Sequence, residues 1–76
     1  MDSPALEVGK TYILTEEYSV RCGYDDRSYE AIYEGLATDG CFAFNNGCAH
    51  GVHVYFAEGY LWLDDMVTIP MTVVAK

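Results

Sequence analysis

Between Ser28 and Ala75 the chain has no lysine and no arginine, although that stretch carries Glu30, Glu34, Asp39, Glu58, Asp64 and Asp65. The four basic side chains, Lys10, Arg21, Arg27 and Lys76, face twelve acidic ones, for a formal net charge of −8 over 76 residues. DNA, RNA and anionic membranes are held by Lys and Arg that displace counterions, so direct binding to any of them is disfavoured. A negative field of this kind favours a basic partner instead.

Long apolar runs are missing too. No stretch approaches the roughly 20 residues that cross a bilayer, and Met1-Asp2-Ser3-Pro4 lacks the basic start and apolar core of a secretory leader. The protein is therefore expected to be soluble and cytoplasmic. Cysteine is sparse: Cys22, Cys41 and Cys48 are an odd number without a dense framework, which suits a reducing compartment better than secretion. The signatures of small-molecule chemistry are absent as well, with no Gly-rich phosphate loop, no calcium-loop spacing and no distinct Ser-His-Asp set. No enzyme activity and no cofactor are expected.

What the chain does have is apolar content, 51% of residues, and a rich set of aromatics, with seven Tyr, three Phe and one Trp. Those side chains supply enough buried area for a folded core, so the acidity does not mark a disordered tail. The length fits one domain over residues 1–76, with 1–7 expected as a loose tail. A domain this small buries only roughly 60% of the surface of its unfolded chain, so its stability margin is thin.

Apolar residues recur with a period of two in short runs broken by Gly, Asn and Asp, the pattern of a small all-β domain. A first strand is expected over Lys10–Thr15, with Tyr12 and Leu14 on one face and Ile13 on the other. Tyr18–Cys22 reads as a second, weaker strand, followed by a polar loop over Gly23–Arg27. Tyr29–Leu36 has two readings. As a strand it sets Tyr29, Ala31 and Tyr33 against Glu30, Ile32, Glu34 and Leu36; as a short helix it aligns Tyr29, Ile32, Tyr33 and Leu36. The strand is favoured because so short a helix is marginal and Asp39-Gly40 then turns the chain into Cys41–Phe44.

Further strands are expected over Val52–Glu58, Tyr60–Leu63 and Met66–Ile69, with Asn45-Asn46-Gly47, Gly59 and Asp64-Asp65 as turns. Pro70 would end or bend the last of these at an edge, and Met71–Ala75 adds a final apolar segment. Five to seven short strands in this length suit a strongly bent antiparallel sheet closed into a barrel, with one short helix as the variant. Val8-Gly9-Lys10-Thr11-Tyr12, Tyr33-Glu34-Gly35-Leu36 and Asp39-Gly40-Cys41-Phe42 resemble the strand and turn arrangement of small barrels of the Src-homology or Sm-like type, including short phage-encoded ones. The resemblance implies such a barrel over Val8–Ile69. Sm-like proteins hold RNA in basic rings, a chemistry this acidic chain does not share.

The densest chemical cluster is Cys41, Cys48, His50 and His53, spaced Cys-x6-Cys-x-His-x2-His. These are zinc-type ligands, but the spacing matches no common zinc pattern, and on a regular strand His50 and His53 would point apart. Core thiols and loop histidines are the plainer reading. The acid pairs Glu16-Glu17, Asp25-Asp26 and Asp64-Asp65 are expected to be solvated.

Seven Tyr exceed what one small core can bury, so Tyr29, Tyr55, Tyr60 and Trp62 are candidates for exposure beside carboxylates. Aromatics flanked by acids grip Arg and Lys by stacking and charge-assisted hydrogen bonds. The expected function is therefore a non-enzymatic binding protein whose Glu30, Glu34, Asp39, Glu58, Asp64 and Asp65, with those aromatics, dock on the basic nucleic-acid-binding surface of a partner and inhibit it. In acidity and compactness the chain is similar to phage anti-CRISPR and DNA-mimic inhibitors, which implies action in the host cytoplasm. The alternative is an assembly module that self-associates or joins a virion through sheet edges near Pro70 and Met71–Ala75. A zinc-stabilised domain on the Cys/His cluster is a further alternative.

Overall fold

A computed structural model describes residues 5–47, 49, 51–63 and 69–76. In chain order these form β1 (Thr11–Glu16), a single helical turn α1 (Tyr18–Arg21), β2 (Arg27–Leu36), β3 (Phe42–Asn45), β4 (Val52–Ala57), β5 (Tyr60–Leu63) and β6 (Pro70–Ala75). Each strand pairs antiparallel with the next, and β6 returns to β1, closing a six-stranded barrel. Closure matches the expected all-β architecture and follows from the alternation, which gives every strand one apolar face to bury.

Tyr29–Leu36 is strand, and its two faces divide as the alternation requires: Ala31 and Tyr33 are buried while Glu30, Ile32, Glu34 and Leu36 are exposed. Inside the barrel, Tyr12, Leu14, Ala31, Tyr33, Phe44, Val52, Val54 and Met71 form the core. Phe44 stands at its centre, edge-on to Tyr12 at 6.1 Å and tilted against Tyr33 at 5.3 Å between ring centroids. Leu6 packs against this core and the Glu7 backbone N–H donates to the Tyr12 hydroxyl at 2.8 Å.

Two departures from the sequence reading have local causes. Tyr18–Arg21 is a helical turn and not a strand, because Asp26 Oδ1 accepts both the backbone N–H and the hydroxyl of Ser19, at 3.1 and 2.7 Å, and so curls the segment. Pro70 is the first residue of the last strand; it pairs with Trp62, and its carbonyl accepts the Glu17 N–H at 2.9 Å. The first residue of a strand is where a missing N–H costs least. The expected Asp64-Asp65 turn and the Met66–Ile69 strand fall largely on residues 64–68, outside the described residues.

Where β2 turns into β3 the register slips between Tyr33 and Gly35, and Gly35 takes a positive φ of 104°. This bulge bends β2 around the barrel. At the start of β4, Gly51 has φ +64°, and a Cβ there would lie 2.7 Å from the Phe44 carbonyl oxygen. Gly51→Ala is accordingly expected to cost at least ~1–2 kcal/mol from the left-handed backbone alone, measured as a lower urea midpoint.

Candidate functional site

The outward side chains of β6, β1 and β2 form one continuous surface. Ile13 lies in register between Val74 and Glu30, Thr15 between Thr72 and Ser28, and Thr11 beside Ile32. Ile32, Leu36 and Val74 are all exposed, and along β2 acidic and apolar groups alternate as Glu30, Ile32, Glu34 and Leu36. Lys76 Nζ reaches Glu30 Oε1 at 2.7 Å in a solvent-exposed pair that contributes little to stability. A shallow depression of about 350 Å³ lies between Thr11, Ile32 and the Asn45-Asn46-Gly47 turn, with Glu30 on its margin.

Past β6 the surface deepens into a groove of about 440 Å³ lined by Glu17, Val20, Tyr60, Leu61, Trp62, Pro70 and Met71. Tyr60 is 65% exposed while Trp62 is only 8% exposed. Their rings meet edge to face at 6.4 Å, and the indole N–H donates to the Ala57 carbonyl at 3.1 Å. Glu17 Oε2 accepts the Thr72 hydroxyl at 2.8 Å, which holds this carboxylate over the β6 side of the groove. An apolar floor, two aromatics and one fixed acid together suit a long cationic side chain, whose stem packs on the floor while its charge meets the carboxylate.

The expected site residues divide. Glu30 and Glu34 share the outer face of β2; Asp39 sits in the β2–β3 turn; Glu58 sits at the β4–β5 turn with φ +57°. Asp39 is engaged internally: its Oδ1 accepts the Cys41 N–H at 3.0 Å and its Oδ2 faces His53 Nδ1 at 3.1 Å. The Cys41 backbone N–H, followed by the His53 ring, holds the Asp39 carboxyl below the usual range. Asp64 and Asp65 lie outside the described residues, as do Cys48 and His50 of the Cys/His cluster. Of that cluster, Cys41 and His53 come together, joined by Asp39, which the sequence reading had placed with the docking acids. Of the aromatics, Tyr60 is well exposed, Tyr29 and Tyr55 are half-buried, and Trp62 forms the groove wall.

Glu16 corrects the expectation that paired acids are solvated: it is buried at the end of β1. The hydroxyl of Tyr18 donates to its Oε1 at 2.6 Å, and that of Tyr29 donates to its Oε2. Tyr29 is thus committed to a carboxylate within its own chain, with Arg27 stacked at 6.0 Å over its ring. Burial first, and the Glu16 hydrogen bond second, push the Tyr29 phenol well above its ordinary 10.0. The hydrogen bond to Glu16 leads in raising Tyr18.

Raised phenol values stabilise the folded state fully below pH 10 and lose that contribution as pH climbs through the folded values. Alkaline unfolding is therefore expected to set in above about pH 10. Circular dichroism and tyrosinate absorbance should change together in that range, and Tyr29→Phe should shallow the slope.

No family model, curated protein or solved structure matches this chain. Among the described residues no helix is long and apolar enough to cross a membrane.

Proposed function

We propose that the protein is a non-enzymatic acidic binding module that docks on a basic surface of another protein, of the kind that otherwise holds nucleic acid, and blocks it. The observation that carries this reading is the groove in which Glu17 stands beside Tyr60 and Trp62, a receptor for a lysine or arginine of the partner. The adjoining β6-β1-β2 face supports it, because Glu30 and Glu34 project from among exposed Ile13, Ile32 and Val74. Interfaces of this type combine charge that steers the encounter with apolar contacts that hold it. Action as an anti-defence inhibitor of phage origin, comparable in character to an anti-CRISPR protein, belongs to the same proposal.

Capture of partners from host lysate at low and high salt tests it. A basic nucleic-acid-binding protein is expected to be retained at low salt and largely lost when the Debye length shrinks from about 10 Å to about 3 Å. Glu30→Lys combined with Glu34→Lys is expected to abolish capture while leaving the circular dichroism spectrum intact. Capture that is indifferent to both salt and charge reversal would sink the electrostatic model.

A second reading, self-association, draws on β6. That strand pairs with β1 over Tyr12–Glu16 but with β5 only at Pro70 and Met71, so among the described residues the flank of Thr72–Ala75 toward β5 has no ladder partner. A monomeric mass in solution at high micromolar concentration would remove this reading.

A further inference from the structure

We infer that Asp39, Cys41 and His53 form a binding site for a single zinc-type divalent ion, independent of the docking surface. The three come from two pieces of chain: Asp39 and Cys41 lie two residues apart in the β2–β3 connection, and the barrel brings His53 of β4, in register with Ala43, beside them. One carboxylate oxygen, one thiol sulfur and one imidazole nitrogen lie within 4.8 Å of one another. Bonds of about 2.0–2.3 Å to a tetrahedral ion set such atoms roughly 3.3–3.8 Å apart, so modest side-chain rotation closes the set around an ion.

The local construction favours ligation. Asp39 is fixed by the Cys41 backbone N–H on one oxygen, leaving the other, Oδ2, directed at His53 Nδ1 at 3.1 Å. An ion bridging those two atoms would replace their hydrogen bond, and ligation by the sulfur as thiolate would release the Cys41 proton. Cys41 is fully buried, with 0% exposure, whereas His53 and Asp39 retain side-chain exposures of 36% and 41%. The sulfur is thus sheltered from oxidation while the ion has a path from solvent. A mixed sulfur, nitrogen and oxygen donor set matches zinc, and the soft thiolate disfavours calcium and magnesium, which take oxygen ligands. Among the described residues the set supplies three ligands of a tetrahedral four.

The test uses the full-length protein, reduced, stripped with chelator and titrated with zinc and with cobalt(II) as a spectroscopic stand-in. A stoichiometry of one zinc per chain, a thiolate-to-cobalt charge-transfer band and a raised melting temperature are expected. Cys41→Ser should abolish the band. Because Cys41 is buried and its replacement can perturb folding, His53→Ala and Asp39→Asn, at partly exposed positions, provide the parallel measurement and should weaken zinc binding by about tenfold or more. Cys22→Ser, at an exposed position away from the cluster, should leave the titration unchanged. The inference is overturned if zinc fails to bind at micromolar concentration. It is overturned equally if binding survives His53→Ala and Asp39→Asn but is lost in Cys48→Ser or His50→Ala, which would place the ion elsewhere.

Discussion

Phe44→Ala is expected to remove about 3–5 kcal/mol of folding stability, the range for truncating a fully buried aromatic. Phe44 is 1% exposed and touches the rings of Tyr12 and Tyr33, which belong to β1 and β2 while Phe44 belongs to β3. One side chain therefore cements half the strands. A domain of this size has a total stability of about 4–11 kcal/mol at ~0.05–0.15 kcal/mol per residue, so the variant would retain a fraction of its margin or none. Urea unfolding followed by circular dichroism reads the effect as a lower midpoint with an unchanged slope. A loss below about 1 kcal/mol would mean that the cavity collapses freely, and that the core does not depend on this ring.

Tyr60→Ala is expected to act in the opposite way, leaving the melting temperature almost unmoved while weakening partner binding about ten- to a hundredfold. Tyr60 is among the most exposed large side chains, so its removal deletes little buried area. Yet it forms the outer aromatic wall of the groove beside Glu17, and such an aromatic anchor is worth roughly 2 kcal/mol or more when a partner covers it. Glu17→Lys should weaken binding further and flatten its salt dependence, since it places a like charge against the incoming cation. Calorimetric titration with the captured partner checks both variants. Unchanged affinity in both would show that the groove is not the docking site, even if the β2 face is.

The barrel was legible in the sequence because its signals are local. Alternation over Thr11–Glu16, Arg27–Leu36 and Val52–Ala57, with turn residues between them, fixes which side chains face inward before any pairing is known. The same rule, carried two residues past Leu14, places Glu16 on the inner face and so marks the buried acid, although adjacent acids such as Glu16-Glu17 are more often solvated. The groove was not within reach. Its Glu17 is held by Thr72, 55 residues away, and its floor joins β5 to β6. Contacts that depend on barrel closure leave no periodic trace in the chain.

Asp39 illustrates the same divide from another side. As a turn acid it reads as a docking residue, and in the fold it stays exposed while its two oxygens are engaged by the Cys41 N–H and the His53 ring. The helical turn at Tyr18–Arg21 depended on Asp26 reaching back to Ser19, a contact across seven residues that propensity does not report.

The pairing of β1 with β6 has a consequence for how the chain reaches its fold. Tyr12 lies opposite Ala75, so the ladder that closes the barrel joins the two most distant strands in the sequence. A loop of that span must be closed before its contacts reward it, which slows folding and exposes unpaired edges meanwhile. During synthesis β1 emerges early but has no second neighbour until Ala75 has left the ribosome. Until β6 joins β1 the sheet stays open along both strands, and a net charge of −8 disfavours edge-to-edge pairing between like copies in that interval.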